Sequence, residues 1–292
     1  MLQRLRRAAD TVLSLFVNYV LGGDISHWQG LWDAAKSFAA GWRFVFIRAG
    51  SVTDVTGDLY DDYRFYENVA KAFAVFKWFG FYWFFRPNHD PVEQAKYFAN
   101  LIRHTGFTLL PIVDIEQHGN RTPTQVRTAL KTFIVTLMAE LNLDRVIIYT
   151  RQSFWDTYVA ADPLFSSMPL FAARYKSTLT GPWSDGFFAF RDWLIWAFWQ
   201  WSADGNGRGA EFGCESSDVD LDYVNGPIES YAVEDPMATI EERVAALETT
   251  VAEHKERMDN QAKVINLFVD RVKALEALLA KFREFLALLL GG

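Results

Sequence analysis

The sequence predicts an α/β chain, an incomplete TIM-like β/α barrel of about eight strands and about five helices followed by a C-terminal α-helical coiled coil. Three observations predict it. From about residue 20 to 226, short apolar runs alternate with amphipathic stretches, as strands do when crossover helices join them into a parallel sheet. Eight such runs occur, the number a closed α/β barrel needs. Beyond residue 236 the apolar residues recur at strict 4-3 spacing, the mark of a heptad repeat.

Residues 1–21 place Arg4, Arg6 and Arg7 ahead of an apolar run, Val12 to Leu21. Asp10 and Asn18 interrupt the pattern, no small-residue cleavage site follows, and the run is too short to span a bilayer. It reads as an N-terminal helix or arm rather than a signal or an integral membrane segment. The barrel is expected over 22–226. Its strands are expected at Tyr19–Ser26, Arg43–Ala49, Gly80–Arg86, Leu109–Glu116, Arg145–Thr150, Leu170–Arg174, Ala197–Ser202 and Val219–Val224. Helical periodicity covers Trp32–Ala40, Asp61–Trp78, Pro91–Thr105 and Pro123–Leu141; Pro91 and Pro123 stand where a first helical turn tolerates proline. The last three strands have short or irregular connections, so the barrel is expected to lack some helices. Asn225-Gly226-Pro227 ends it, and 227–236 reads as a linker.

Over 237–290 the heptad runs from Ile240, Val244, Leu247 and Val251 to Phe282, Leu286 and Leu289, interrupted at His254 and Gln261. Arg243 with Glu248, and Arg271 with Glu276, are placed to pair between parallel helices. Val264, Val269, Leu278 and Phe285 widen the apolar face, which favours a homotrimeric stalk, with a dimer as second choice. One long amphipathic helix lying on the barrel has the same spacing.

A net charge of −7 argues against nucleic-acid binding, which draws its affinity from Lys and Arg. The lone Cys214 excludes an intrachain disulfide and a cysteine zinc site. His27, His89, His104, His118 and His254 lack metal-ligand spacing, so neither a metal nor a cofactor is expected. Asp54, Asp58, Asp61 and Asp62 lack the glycine and closing glutamate of a calcium loop and read as solvated loop charges.

The chemistry concentrates in Ile112-Val113-Asp114-Ile115-Glu116, an apolar strand ending in two acids spaced i, i+2, which share a face. Two carboxyls held together cannot both ionise freely, so one pKa should rise. Asp24 closes the first strand. Asp220, between Asp218 and Asp222, sits in the last, which neighbours the first in a closed barrel. Four acids at one mouth suggest glycoside hydrolysis. Alternation alone leaves open which of Asp218, Asp220 and Asp222 faces the cleft.

In these residues the chain resembles the family 25 glycoside hydrolases, the N-acetylmuramidase lysozymes. Asp24-Ile25-Ser26 with Trp28-Gln29-Gly30 is similar to the family's first-strand motif, and Asp114-Ile115-Glu116 to its D-x-E signature. Phe44–Ala49, Gly80–Pro87, Ile148-Tyr149-Thr150, Ala173-Arg174-Tyr175, Trp199-Gln200-Trp201-Ser202 and Val219-Asp220-Leu221 follow in family order. Trp83 stands where the family often has His, and Asp222 where it often has Asn. The resemblance favours Asp220 as the final acid. It implies cleavage of the β-1,4 bond between N-acetylmuramic acid and N-acetylglucosamine of peptidoglycan. Glu116 would be general acid, Asp114 the group facing the developing positive charge, and Asp24 and Asp220 their electrostatic partners. Whether the outcome is retention or inversion stays open. Tyr82, Tyr149, Tyr175, Trp199 and Gln200 are candidates to line the glycan groove, and Arg48 and Arg86 to hold the muramyl lactate or balance the acids. Head and stalk together suggest an extracellular or virion-associated wall-degrading component, with phage structural proteins as partners. The alternative is an inactive glycan-binding or structural protein on the same fold.

Overall fold

The computed structural model describes residues 19–175 and 190–233, with Ala252, Lys255 and Lys273 as isolated helical residues. The expected N-terminal arm and coiled-coil stalk lie outside the described residues. The strands are β1 (Val20–Ile25), β2 (Phe44–Val52), β3 (Leu59–Asp61), β4 (Trp78–Phe84), β5 (Ile112–Asp114), β6 (Ile147–Arg151), β7 (Leu170–Ala173), β8 (Phe198–Ser202) and β9 (Leu221–Val224). The α-helices are α1 (Ala34–Ala39), α2 (Phe65–Val75), α3 (Pro91–Ile102), α4 (Pro123–Leu141), α5 (Gln152–Tyr158) and α6 (Pro163–Ser166). The sheet order is β1-β9-β8-β7-β6-β5-β4-β2-β3, and β1 also pairs with β2, so eight strands close into a barrel. β3 is a short antiparallel extension hung on the end of β2.

Local chemistry starts the helices where the sequence placed them. Asp33 caps α1 and Asp90 caps α3, each accepting from two backbone N–H groups. Thr122 and Gln125 form a capping box on α4, with Pro123 in its first turn. Helices α5 and α6 add to the four that periodicity showed. Both are short, and neither has the length that makes a 3.6-residue period visible.

One expectation is corrected. The sheet is not wholly parallel, because β9 runs antiparallel to both β1 and β8. The segment between β8 and β9 forms 3-10 turns, Gly205–Gly207 and Gly209–Phe212, and no α-helix. A parallel pair needs a crossover that carries the chain back to the other end. Without one, the chain stays at the mouth where β8 finished and enters β9 from that side.

Alternation sorts the side chains into two cores. Outward residues such as Val45, Ile47, Phe81, Val113, Ile148 and Trp199 pack in the layer shared with the helices. Inward residues such as Phe44, Phe46, Ile112, Ile147, Phe171, Phe198 and Val224 fill the barrel. The rings of Phe44, Phe46, Phe171 and Phe198 meet at centroid distances of 5.2–5.9 Å.

The closure at β1 leaves no room beside the backbone. A Cβ on Gly23 would sit 2.2 Å from the Trp42 ring and 2.5 Å from the Asp220 carbonyl oxygen. Gly23→Ala is therefore expected to destabilise the fold by about 2 kcal/mol or more. A denaturant titration checks this, and an unchanged midpoint would contradict such tight closure.

Candidate active site

The inward columns finish together at one mouth. Asp24 lies near the end of β1, Arg48 on β2, Tyr82 and Phe84 on β4, Asp114 at the end of β5, Tyr149 on β6 and Gln200 on β8. Asp220 arrives just ahead of β9, at the same mouth because that strand is reversed. These residues, with Glu116, Tyr175 and Trp28, line a cleft of about 240 Å³ above Phe46, Ile112 and Phe171. Register fixes several neighbours: Asp114 stands beside Phe84 on one side and Tyr149 on the other, and Arg48 beside Tyr82.

A hydrogen-bond chain ties the walls together. The Tyr149 and Tyr175 hydroxyls donate to Gln200 Oε1 at 2.7 and 2.9 Å, and Gln200 Nε2 donates to Asp24 Oδ2 at 2.8 Å. Asp24 and Asp220 influence each other's ionisation across the mouth, as do Asp114 and Glu116. The four acids thus form two pairs. Asp114 Oδ1 is buried and has no protein partner.

Burial on the phenylalanine floor raises the pKa of all four acids. Asp24 is pushed up to about 7, mainly by desolvation and further by Glu116, against the opposing Gln200 hydrogen bond. Asp114 is held well above the carboxylate range by burial and then by the charge of Glu116, with Arg48 opposing. Asp220 is raised by burial and by Asp24. Glu116 is raised by burial, while Arg151 and Arg48 pull it down. In each pair burial therefore disfavours full ionisation.

Two candidates lie elsewhere. Trp199 is 1% exposed and faces outward, its indole N–H donating to the Arg174 carbonyl at 2.8 Å. Its neighbour Gln200 takes the inward position, and alternation allows one or the other. Arg86 lies past the end of β4 and outside the cleft lining, bound to Asp54 at 2.9 Å and Gln117 at 2.8 Å. Trp28 and Phe84 line the cleft although neither was among the candidates. Trp28 leaves no alternation signal, because a 3-10 turn over His27–Gln29 sets its direction. Asp62 is corrected from a solvated charge: it is 2% exposed and bonded to His27. Among the described residues, no group of His, Cys, Asp and Glu could hold a metal ion.

The three aspartates around β9 separate by depth. Asp218 is exposed, Asp220 faces the cleft, and Asp222 is fully buried below it with both oxygens unpartnered. Asp222 stands opposite Gly22 and Gln200, and burial followed by the charges of Asp24 and Asp220 pushes its pKa well up. Above the unfolded carboxyl pKa of about 4, the unfolded chain loses this proton and the folded chain keeps it. Stability therefore falls as pH rises from that point. Asp222→Asn removes the contribution, so the variant is expected to melt higher than the wild type at pH 7.5 and to match it near pH 4. Melting curves across that range test the sign, and a variant that melts lower throughout would refute it.

Comparison with known proteins agrees with this geometry. The sequence profile of Glycosyl hydrolases family 25 matches residues 23–210. Lysozyme M1 of Streptomyces globisporus is 34% identical over 221 residues, covering 71% of this chain and 68% of that protein. The solved bacterial lysozyme of Streptomyces coelicolor superposes with a TM-score of 0.61 at 28% identity, over 73% of this chain and 95% of that one. A family 25 glycosyl hydrolase from Bacillus anthracis superposes with a TM-score of 0.59 at 25% identity, over 73% and 94%. By its matched span, its barrel and its relatives, the chain belongs to family 25 of the glycosyl hydrolases.

Proposed function

We propose that this chain is a muramidase, cleaving the β-1,4 bond between N-acetylmuramic acid and N-acetylglucosamine in peptidoglycan. The observation that carries the reading is the Asp114–Glu116 pair at the end of β5, with Asp114 Oδ1 buried and unpartnered in the cleft. A buried acceptor without a donor is costly unless a ligand supplies one. The acetamido N–H of an N-acetyl sugar is such a donor.

Glu116 protonates the glycosidic oxygen as the bond breaks. Positive charge then grows at the anomeric carbon beside Asp114. In the protein alone, burial and then the charge of Glu116 disfavour the ionised form of Asp114. The growing cation stabilises ionised Asp114, while Glu116 carries from the start the proton that it delivers. Ionised Asp114 also orients the acetamido group, whose carbonyl oxygen attacks the anomeric carbon from within the substrate, one of the exceptions to two-carboxylate hydrolysis. Glu116, now a base, activates the water that completes the reaction. Asp24 and Asp220 keep the field around the sugar negative. Tyr82, Tyr149 and Tyr175 supply ring and hydroxyl contacts, and Arg48, whose Nε has no partner, suits the lactyl carboxylate.

The setting follows from the C-terminal segment of the chain. The heptads of 237–290 support a trimeric stalk bearing lysozyme heads, working outside the cell or on a virion. Light-scattering mass of the full chain, against the chain truncated after Gly226, separates trimer from monomer.

Glu116→Gln is expected to lower murein hydrolysis by ~10²-fold or more with the fold intact. A turbidity assay and a zymogram measure it. Near-normal clearing by the variant would remove Glu116 from its role, and no clearing by the wild type would favour a glycan-binding protein.

A further inference from the structure

We infer that a glycan strand leaving the cleft crosses an aromatic platform formed by Trp28, His27 and Tyr63, a further carbohydrate-binding subsite on the β1–β3 side of the mouth. This rests on the glycan-cleaving reading above and extends it to a stretch of polymer outside the reacting pair of sugars. The cleft of about 240 Å³ is smaller than the ~300–1,000 Å³ that a drug-sized ligand fills. A polysaccharide must therefore run out over the rim.

Trp28 belongs to both places. It lines the cleft, yet it is 71% exposed. Tyr63, at the start of the turn into α2, is 74% exposed. Leaving two large rings in water forgoes the burial that usually stabilises them. These rings are nonetheless held in place. The His27 ring lies between them, 4.5 Å from Trp28 and 4.9 Å from Tyr63 by centroid, tilted 37° and 42°. His27 is fixed from below by Asp62, whose Oδ2 is 2.5 Å from Nδ1 and accepts the His27 backbone N–H at 3.1 Å. Asp62 Oδ1 accepts the Arg64 backbone N–H at 3.0 Å, which orders the turn carrying Tyr63. On the other side, Ser26 and Gln29 form a capping box around the turn carrying Trp28. A nine-tenths-buried carboxylate thus spends its hydrogen bonds on arranging exposed rings.

Rings both rigid and wet suit a sugar. A pyranose offers a C–H face that packs on an aromatic ring while its hydroxyls stay in solvent, so the platform need not be enclosed. Ordering the rings in advance lowers the entropy cost of binding. Trp28 and Tyr63 are assigned to sugar contact, and His27 and Asp62 are positioning residues.

The test uses the full chain, with Trp28→Ala and Tyr63→Ala, on two substrates: long glycan strands stripped of stem peptides, and the shortest oligosaccharide that is cleaved. Loss of one stacking ring should raise KM for the long strands about five- to tenfold. For Tyr63→Ala the ratio of kcat/KM for long over short substrate should fall by the same factor, while kcat on long strands moves less. Trp28→Ala should also lose activity on the short substrate, because that ring reaches into the cleft. An unchanged ratio in Tyr63→Ala, with wild-type circular dichroism, would overturn the platform. So would a loss seen only on strands that keep their stem peptides, which would make the rings a peptide reader. Tryptophan fluorescence of the wild type with stem-free strands separates the two levels. Binding without cleavage would sink the muramidase reading, while cleavage indifferent to Tyr63→Ala would sink only the platform.

Discussion

Eight strands closed in a ring leave an interior that side chains must fill. Here Phe44, Phe46, Phe171 and Phe198 fill it, ring against ring, beneath the mouth. The site depends on that plug. It sets the depth of the cleft and denies water to the underside of the carboxyls. Had small or polar residues filled the barrel, water would have reached the acids from below, and their pKa values would have relaxed toward those of free carboxylates. Asp24 at about 7 and Glu116 raised above its ordinary value are consequences first of burial, to which the charge of Glu116 adds only at Asp24.

Four acids over an apolar floor would repel one another if all were ionised. The structure limits this in three ways. Asp24 with Asp220, and Asp114 with Glu116, are pairs in which each carboxyl's charge bears on the other's ionisation. Arg48 lines the cleft and lowers both Asp114 and Glu116. The Tyr149–Gln200–Asp24 chain gives one carboxylate a neutral donor. The result is a site whose carboxyls are all shifted toward the protonated form, the direction that acid catalysis of glycoside cleavage requires. It does so at a cost in stability, the usual bargain of a functional cluster.

The reversed last strand is what brings the fourth acid to the others. In a wholly parallel barrel, a residue just ahead of a strand would lie at the opposite end from the mouth. Because β9 is antiparallel, Asp220 enters at the top and Asp222 is carried down inside. The loop that makes this possible is itself anchored beside the rim: Glu215 accepts the Leu31 backbone N–H at 2.9 Å, just past the turn that holds Trp28. The reversal therefore also braces one wall of the cleft.

The sequence by itself determined the strand and helix alternation, the acids at strand ends, and the inward or outward parity of each strand residue relative to its neighbours. These are local properties: periodicity, capping and proline placement act over a few residues and leave their mark in the text. Asp24, Asp114 and Glu116 stand out on that basis; the resemblance to family 25 favoured Asp220 and accompanied the choice of Arg48, Tyr82, Tyr149, Tyr175 and Gln200, and all of them meet at one cleft. Absolute facing, strand direction and depth were decided only by tertiary structure. Nothing local says whether Trp199 or Gln200 points inward, since both readings satisfy alternation and only ring closure selects one. Nothing local reverses β9, because direction depends on whether a helix crosses back. Asp62 reads as a solvated loop charge and Asp222 as a possible cleft acid, and the burial of both comes from chain segments far away in sequence. Burial is a property of what surrounds a residue, and a linear text records only what precedes and follows it.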